Sequence, residues 1–241
     1  MKTLIFDIET IGERWEDLDE QTRGVVEKAV GRKAEERGLD MEVLLAQEQE
    51  ELGLSPLTGE IVSVGVLDAE TEKGAVYFRA PGADVAPFEE DDVKYEAMDE
   101  AGILAKFWEI ARYAQTFVTF NGRSFDVPYL MIRSAVHRIK PTKDLMRGRY
   151  LYQCAANAQH VDLKEQLTFY GATFRRHSLH LYCRAFGIET PKDGMDGSEV
   201  GEYFRRGDFL DIARYNARDI RATKALYDVW REYVQVGNGT S

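Results

Sequence analysis

The most constraining feature of this sequence is its first strand, which combines a buried apolar run with two acids. Residues 2–7 have the apolar pattern of a short buried strand, and Ile8 separates Asp7 from Glu9. Because side chains alternate between the two faces of a strand, Asp7 and Glu9 are predicted to share one face, while Phe6 and Ile8 occupy the other. Two neighbouring carboxylates repel one another unless a positive charge lies between them, and a divalent cation is the natural neutraliser. The alternative is a pair of solvent-exposed acids at the end of an edge strand.

The order of the remaining elements predicts a mixed α/β sheet. Turn-forming residues separate strands at 60–68 and 75–79, which indicates an antiparallel meander with the first strand. In the rest of the chain, the apolar pattern predicts strands at 117–120 and 160–162 and helices at 97–114, 125–138, 163–170, 178–186 and 208–233. Strands that alternate with helices, with the helices concentrated late, indicate a sheet flanked by helices and exclude a pure sandwich or bundle.

Charge is divided unevenly along the chain. The 241 residues carry a net charge of −11, which by itself argues against a nucleic-acid partner. Residues 1–100 hold 10 basic and 27 acidic side chains, whereas residues 101–241 hold 21 basic and 15 acidic ones. Within the basic part, residues 140–186 interleave lysines and arginines with aromatic rings, a pattern that suits single-stranded nucleic acid. A solvated charged face beside ordinary core aromatics is the other interpretation.

The most acidic stretch follows the first strand. Residues 13–57 contain 13 acidic and 6 basic side chains and have helical spacing of apolar residues. We predict one or two surface helices here, interrupted near Gly38, with Asp40 as the N-cap of the second.

Two further acids occupy positions where they could join the first pair. Asp126 ends the run from Asn121 that follows the strand at 117–120, and it lies in the first turn of the next helix. Tyr215 and Asp219 are four residues apart and therefore share one face of the last helix. The alternatives are simple N-terminal capping for Asp126, and for Asp219 an exposed acid paired with Arg218 or Arg221.

Taken together and in this order, the motifs resemble a known family. The runs FDIET (6–10), NGRSFD (121–126) and YNARD (215–219) resemble the three exonuclease motifs of the DEDD superfamily of 3'-5' exonucleases, in its tyrosine subclass. The run FNGRSFDVPYL (120–130) resembles the second motif of the proofreading domain of family B DNA polymerases, and KDGMDGSEV (192–200) resembles their stand-alone relatives. The resemblance covers residues 1–12 and 59–235.

The resemblance implies an RNase H-like fold, with three antiparallel strands plus parallel strands in one mixed sheet flanked by helices. Residues 1–241 would then form a single exonuclease domain, in which the acidic helical stretch at about 13–57 is an insertion outside the shared pattern.

The resemblance also implies a metal-dependent 3'-5' exonuclease acting on single-stranded nucleic acid, with DNA favoured over RNA. Position by position, the metal-binding carboxylates would be Asp7, Glu9, Asp126 and Asp219, and Tyr215 would orient the attacking water or help to deprotonate it. Thr10, Asn121 and Phe125 would lie near the terminal nucleotide, with a core position as the alternative for Phe125. Two divalent cations are expected, with Mg²⁺ as the usual ion and Mn²⁺ as a substitute, because hard cations suit an all-oxygen site.

Three alternatives remain at this point. The run from Asp7 to Thr10 is similar to the D-x-D-x-T loop of haloacid-dehalogenase phosphatases, although Glu9 replaces the second aspartate. A non-catalytic nucleic-acid or partner-binding module could use the same fold, with the acidic stretch as a protein-binding surface. A zinc site is the third alternative, although its candidate ligands lack a paired C-x-x-C: Cys154, His160, His177, His180 and Cys183.

The cellular compartment is predicted from what the sequence lacks. No apolar run approaches the roughly 18 residues needed to span a bilayer, and no signal peptide is apparent. The two cysteines are too few for a disulfide framework in a chain of this length. We therefore expect a cytoplasmic protein without a membrane anchor.

Overall fold

A seven-stranded mixed sheet organises the chain in the computed structural model, which describes residues 2–173, 175, 177–189 and 195–236. The strands are β1 (Thr3–Gly12), β2 (Gly59–Asp68), β3 (Gly74–Phe78), β4 (Phe88–Glu90), β5 (Val93–Ala97), β6 (Thr116–Thr119) and β7 (Gln159–Asp162). Their spatial order is β4-β5-β3-β2-β1-β6-β7. β1 pairs antiparallel with β2, and β2 with β3, which confirms the predicted meander. β6 and β7 continue the sheet parallel to β1, so these three strands end at the same edge.

The β4–β5 hairpin is an addition that the sequence pattern did not predict. β5 runs parallel to β3 and extends the sheet beyond the meander. Its buried residues Val93 and Tyr95 alternate with Lys94 and Glu96, but the acidic run just before them hides this period.

Helices cover both faces of the sheet. They are α1 (Glu20–Arg37), α2 (Met41–Glu50), α3 (Glu100–Ala111), α4 (Asp126–Val136), α5 (Leu163–Leu167), α6 (Leu179–Ala185), α7 (Val200–Arg206) and α8 (Phe209–Val229). α3 and α4 pack on the face to which β1 contributes Leu4, Phe6 and Ile8. α5 and α8 pack on the opposite face, where β1 contributes Ile5. The predicted alternation of side chains along β1 is therefore confirmed.

Most predicted helices are present, with shifted ends. The helix predicted at 163–170 stops at Leu167, because Phe169 and Tyr170 both have left-handed backbone angles, with φ of 49° and 56°. α7 was not predicted. Lys192 to Gly194, the start of the KDGMDGSEV run, lie outside the described residues, as do Phe174 and Arg176 of the basic region. Within the described ranges, no helix is both long enough and apolar enough to cross a membrane.

The acidic stretch forms a helical pair, as predicted. α1 ends at Gly38, whose φ of 63° is left-handed, and the Asp40 side chain caps α2 through the backbone N–H of Glu42 and Val43. A small apolar cluster that includes Val30 and Leu44 holds the two helices together.

A short 3-10 turn, Glu51–Leu54, returns the chain from these helices to the sheet. The backbones of Gly12 and Gly53 approach so closely that a Cβ on Gly53 would lie 2.7 Å from the Gly12 nitrogen. The end of the acidic stretch is thus packed directly against the end of β1.

Candidate active site

Three carboxylates meet at the end of β1. Asp7 and Glu9 project from the strand face that α8 covers, and Asp219 projects from α8. One carboxylate oxygen from each residue lies within 4.8 Å of the others. Across the described part of the chain, no other group of three or more His, Cys, Asp or Glu side chains has this spacing. The three acids thus form an all-oxygen donor set, which fits a hard divalent cation.

The environment of these acids opposes their ionisation. Burial is the largest cause that raises the pKa of Asp7 and of Glu9 well above the usual carboxyl range, and the charges of Asp126 and Asp219 raise both further. Burial also raises the pKa of Asp219, to about 6. The alternative of exposed acids on an edge strand is wrong, because β1 lies between β2 and β6 and Glu9 is 7% exposed. Buried like charges at this spacing are stable at neutral pH only with protons or cations.

Asp126 lies beside this group without being part of it. Its side chain is 3% exposed, and its Oδ1 accepts the backbone N–H of Ile8 at 3.2 Å, midway between Asp7 and Glu9 along β1. Burial is the main cause that raises the pKa of Asp126, to about 7. This bond joins α4 to β1 and is a tertiary contact beyond the local helix capping that the alternative interpretation proposed. Asp126 is therefore joined to the same strand as the other two acids.

Tyr215 lies one helical turn before Asp219 on α8, and its hydroxyl hydrogen-bonds to the Asp219 carboxylate. Burial first, and then the negative charges of Asp219, Glu9 and Asp7, raise the pKa of Tyr215. The hydroxyl therefore remains protonated and acts as a hydrogen-bonding group. A Cβ added to Gly197 would lie 3.8 Å from the Tyr215 hydroxyl oxygen, so the turn before α7 borders this side of the site.

The arginines that were considered as partners of Asp219 make other contacts. Arg218 lies over the Tyr215 ring, with its guanidinium carbon 5.7 Å from the ring centroid. Arg221 donates to the backbone carbonyl of Asp91. Asp219 is half-buried, with a carboxylate oxygen within 4.8 Å of Asp7 and Glu9, so it is not an exposed acid, although the charge of Arg218 does lower its pKa.

The three expected substrate contacts lie close in the chain to Glu9 or Asp126, on β1 and on the loop between β6 and α4. Thr10 follows Glu9 at an irregularity in the β1–β2 ladder, and its hydroxyl donates to the Gly53 carbonyl at 2.8 Å. Asn121 begins the loop after β6 with a left-handed φ of 71°. Phe125 immediately precedes α4, where its half-buried ring packs against the core and lies 5.4 Å from the Tyr129 ring.

Asn216 is a site residue that the sequence reasoning missed. Its fully buried amide donates to Asp7 Oδ2 at 2.7 Å and accepts from the Ser63 hydroxyl at 2.9 Å. α8 approaches β2 closely here, since a Cβ on Gly65 would lie 2.8 Å from the Asn216 Oδ1. The sequence feature that could have identified Asn216 is its position as a polar residue on the buried face of the helix, next to Tyr215 in the YNARD run.

Asp162, at the end of β7, is a second residue that was missed. Its buried carboxylate accepts four backbone N–H groups at 2.9 to 3.3 Å, from Asn121, Arg123, Lys164 and Glu165. It therefore fixes the loop after β6 and caps α5 at the same time. An acid between a strand and a helix is an N-cap signal, but the bonds to the other loop depend on tertiary structure.

The zinc alternative has no support in the described residues. His160 is buried, and its ring nitrogens contact the Leu145 carbonyl at 3.3 Å and the Thr119 hydroxyl at 2.9 Å. Burial lowers the pKa of His160 to about 3, so the ring is a neutral part of the core. Cys183 is also buried, which raises the pKa of its thiol to about 11.

Comparison with known proteins supplies the family context of this site. A family profile described as "Predicted 3'-5' exonuclease related to the exonuclease domain of PolB" matches residues 75–236, more than half of the chain. An uncharacterized protein of Methanocaldococcus jannaschii is 27% identical over 190 residues, covering 75% of this chain and 90% of that protein. The exonuclease match leaves the phosphatase alternative without support.

DNA polymerases are also among the relatives. The DNA polymerase of Pyrococcus glycovorans is 25% identical over 205 residues, covering 75% of this chain. DNA polymerase 1 of Sulfolobus acidocaldarius is 24% identical over 173 residues, covering 69% of this chain. The chain spans only 26% and 19% of these two polymerases.

The structure comparison identifies the fold. The family B DNA polymerase of Pyrobaculum calidifontis superposes with a TM-score of 0.57 at 16% identity, covering 95% of this chain and 24% of the polymerase. The mixed sheet flanked by helices matches the RNase H-like fold of the polymerase exonuclease domain, which confirms the predicted fold class.

Proposed function

The chain belongs to the family of predicted 3'-5' exonucleases related to the exonuclease domain of PolB, and we propose that it hydrolyses phosphodiester bonds at the 3' end of single-stranded nucleic acid. The observation that carries this proposal is the cluster of three carboxylates at the contact between β1, which contributes Asp7 and Glu9, and α8, which contributes Asp219. Asp126 lies beside this cluster. DNA is the favoured substrate because the named polymerase relatives are DNA polymerases.

A metal-dependent reaction is supported by the chemistry of the donor set. Asp7, Glu9 and Asp219 offer only oxygen ligands, and their pKa values are raised first by burial and, for Asp7 and Glu9, then by neighbouring carboxylates whose charge a cation would offset. We propose that these residues, together with Asp126, bind two divalent cations, Mg²⁺ with Mn²⁺ as a substitute. When bound, such a pair supplies activation of a water on one side of a phosphate and stabilisation of the leaving oxygen on the other.

The other residues in the proposed mechanism position these acids and the substrate. Asn216 donates to Asp7 Oδ2 and so fixes one of the carboxylates against α8. The protonated Tyr215 hydroxyl, bonded to Asp219, orients the attacking water by hydrogen bonding rather than acting as a ready base. Thr10, Asn121 and Phe125 are proposed to contact the terminal nucleotide, with the Phe125 ring stacking on a base or sugar.

The domain organisation, a protein partner and the cellular location stay predictions. We propose a single domain in which residues 13–57 are an insertion whose helices bind a protein. Support for a partner surface comes from apolar side chains exposed on or beside α1 and α2, at Val25, Leu39, Met41 and Val43. The cytoplasmic location also remains a prediction.

The decisive experiment follows single-stranded DNA and RNA labelled at either end, incubated with Mg²⁺ and with or without chelator. We expect 5'-labelled DNA to give a ladder that shortens with time, and 3'-labelled DNA to release labelled mononucleotide at once. Asp7→Ala and Asp219→Ala should abolish cleavage, whereas Asp84→Ala, at an exposed acid remote in sequence from the motifs, should not. Circular dichroism would verify that each variant is folded.

Three outcomes would contradict the proposal. Degradation at the wild-type rate by both Asp7→Ala and Asp219→Ala would exclude the cluster of Asp7, Glu9 and Asp219 as the catalytic site. Binding of single strands by the wild type without Mg²⁺-dependent cleavage would favour the non-catalytic binding module. A trapped aspartyl phosphate on Asp7 would identify a phosphatase.

A further inference from the structure

An exposed cluster of aromatic rings lies between β6 and α6 in the chain and outside the carboxylate site. The rings of Tyr150 and Tyr152 are stacked, with centroids 5.6 Å apart and planes 5° from parallel. Tyr170 packs edge-on against Tyr150 at 4.7 Å. Tyr152 is 82% exposed and Phe169 is 60% exposed. We call Tyr150, Tyr152, Phe169 and Tyr170 the aromatic surface. Such a group of exposed rings is informative, because contiguous patches of large apolar side chains mark interaction sites, whereas single exposed ones do not.

The backbone that carries half of this surface is held in an uncommon conformation. Phe169 and Tyr170 are consecutive bulky residues with left-handed φ angles of 49° and 56°. Such a conformation persists only where surrounding contacts maintain it, and it concentrates at functional sites. Here the Tyr170 hydroxyl accepts from Gln166 Nε2 at 2.8 Å, and the Tyr170 carbonyl accepts from Arg149 Nη2 at 3.5 Å. α5 ends before this segment, and the Phe169 ring is exposed.

The aromatic surface is linked to the edge of the sheet where the carboxylates lie. Asp162 accepts the backbone N–H groups of Asn121 and Arg123 in the loop after β6, and those of Lys164 and Glu165 at the start of α5. Arg123, in that loop, donates to the Gly148 carbonyl at 2.7 Å, and its Nε lies 3.6 Å from Glu165 Oε2. Glu165 Oε1 accepts in turn from Arg149 Nε at 3.0 Å. Ion pairs thus connect the loop that leads to Asp126 with the residue preceding Tyr150.

The charge of the segment that precedes the aromatic surface in the chain indicates the kind of ligand. Residues 140–149 contain four basic side chains and one acid, although the whole chain has a net charge of −11. Arg149 pairs with Glu165 and Lys143 donates to the Asn157 carbonyl, and the other two basic residues are Lys140 and Arg147. Stacked rings beside cationic groups are the arrangement that binds single-stranded nucleic acid, since rings stack on bases and cations attract phosphates.

We propose that the aromatic surface binds single-stranded nucleic acid several nucleotides upstream of the 3' end. This inference rests on the proposed function, because the carboxylate site would hold the 3' end itself. Tyr152 and Phe169, as the most exposed rings, would stack on bases without reading their sequence. The surface would increase affinity for long strands and leave the chemistry at the terminal bond unchanged.

The test compares variants of the exposed rings in binding and in cleavage. Tyr152→Ala and Phe169→Ala remove a ring, whereas Tyr152→Phe keeps one. Tyr113→Ala is the matched control, because Tyr113 is 70% exposed and lies just before the start of β6. The carboxylates lie toward the other end of the parallel strands β1 and β6. Fluorescence anisotropy in EDTA would give the Kd for an oligothymidylate of about twelve nucleotides. Cleavage of that strand and of a dinucleotide in Mg²⁺ would give KM and kcat.

We expect Tyr152→Ala and Phe169→Ala each to raise Kd and KM for the long strand by about 5-fold to 150-fold, the range for loss of one stacked base. Tyr152→Phe and Tyr113→Ala should remain within about twofold of the wild type, and dinucleotide cleavage should not change in any variant. Wild-type Kd and KM in both alanine variants would overturn the inference even if cleavage occurs. Weakened binding in those variants, with no cleavage by the wild type, would support the aromatic surface and exclude only the exonuclease function.

Discussion

Replacing Asp126 with asparagine should stabilise the protein when divalent cations are removed at alkaline pH. The Asp126 carboxyl is 3% exposed, and its pKa is raised from 3.8 to about 7, chiefly by burial and then by the charge of Asp162. Asparagine keeps an oxygen that can accept the N–H of Ile8, the bond that Oδ1 makes at 3.2 Å. The substitution therefore removes a buried charge with little change of shape.

The expected gain follows from the difference in pKa between the folded and unfolded states. Between about pH 4 and pH 7, the folded chain keeps a proton on Asp126 that the unfolded chain releases, so the free energy of unfolding falls as the pH rises. The shift from 3.8 to about 7 is about 3 units. At 1.36 kcal/mol per unit, the loss reaches at most about 4 kcal/mol above pH 7. For a chain of this length, that corresponds to about 8 to 16 °C in Tm.

Thermal unfolding followed by circular dichroism in EDTA, at about pH 8 and about pH 5, measures this effect. Asp126→Asn should exceed the wild type in Tm at both values, with a clearly smaller gain at the lower pH. Asp84→Asn, which alters an exposed acid, should behave like the wild type. Adding Mg²⁺ should raise the Tm of the wild type more than that of the variant. Equal stability of Asp126→Asn and wild type at pH 8, or the same gain at both pH values, would refute the reasoning.

Three further variants test individual contacts. Tyr215→Phe removes the hydroxyl bonded to Asp219 and should lower kcat about tenfold or more, with little change in the Mg²⁺ titration; an unchanged kcat would remove its proposed role. Asp162→Ala leaves four backbone N–H groups without their acceptor and should lower the free energy of unfolding in urea by about 2 kcal/mol or more. A smaller loss would show that water replaces the carboxylate. Gly65→Ala places a Cβ 2.8 Å from Asn216 Oδ1 and should cost about 1 to 3 kcal/mol in the same assay; wild-type stability would contradict that close approach.

The sequence could predict the parts of the site that depend on local periodicity. The period of two along β1 separates Asp7 from Ile8, and the helical spacing of four places Tyr215 and Asp219 on one face of α8. Both predictions need only the geometry of a single element. The prediction that β1 and α8 contact one another rested on the order of the motifs and their resemblance to a family, not on periodicity.

Contacts between distant segments could not be predicted in the same way. Asn216 matters because its amide reaches Asp7 and Ser63, which are 209 and 153 residues away in the chain. Asp162 has an ordinary N-cap position, and nothing local indicates that it also accepts the N–H of Asn121. Such roles depend on how strands are ordered in the sheet, which a single sequence does not specify.

The C-terminal end of the acidic stretch at 13–57, rather than its two helices, contacts the elements that carry the site. Gly53 places its backbone against Gly12, and its carbonyl accepts from Thr10 at 2.8 Å and from the Tyr129 hydroxyl at 3.1 Å. One of these donors follows Glu9 on β1, and the other lies on α4, the helix that begins with Asp126. A single carbonyl therefore joins the two elements that carry three of the four proposed metal-binding acids. Shortening α1 and α2 should leave the site intact. Gly53→Ala should disturb it and slow cleavage, because the added Cβ would lie 2.7 Å from the Gly12 nitrogen and push the carbonyl away from the end of β1.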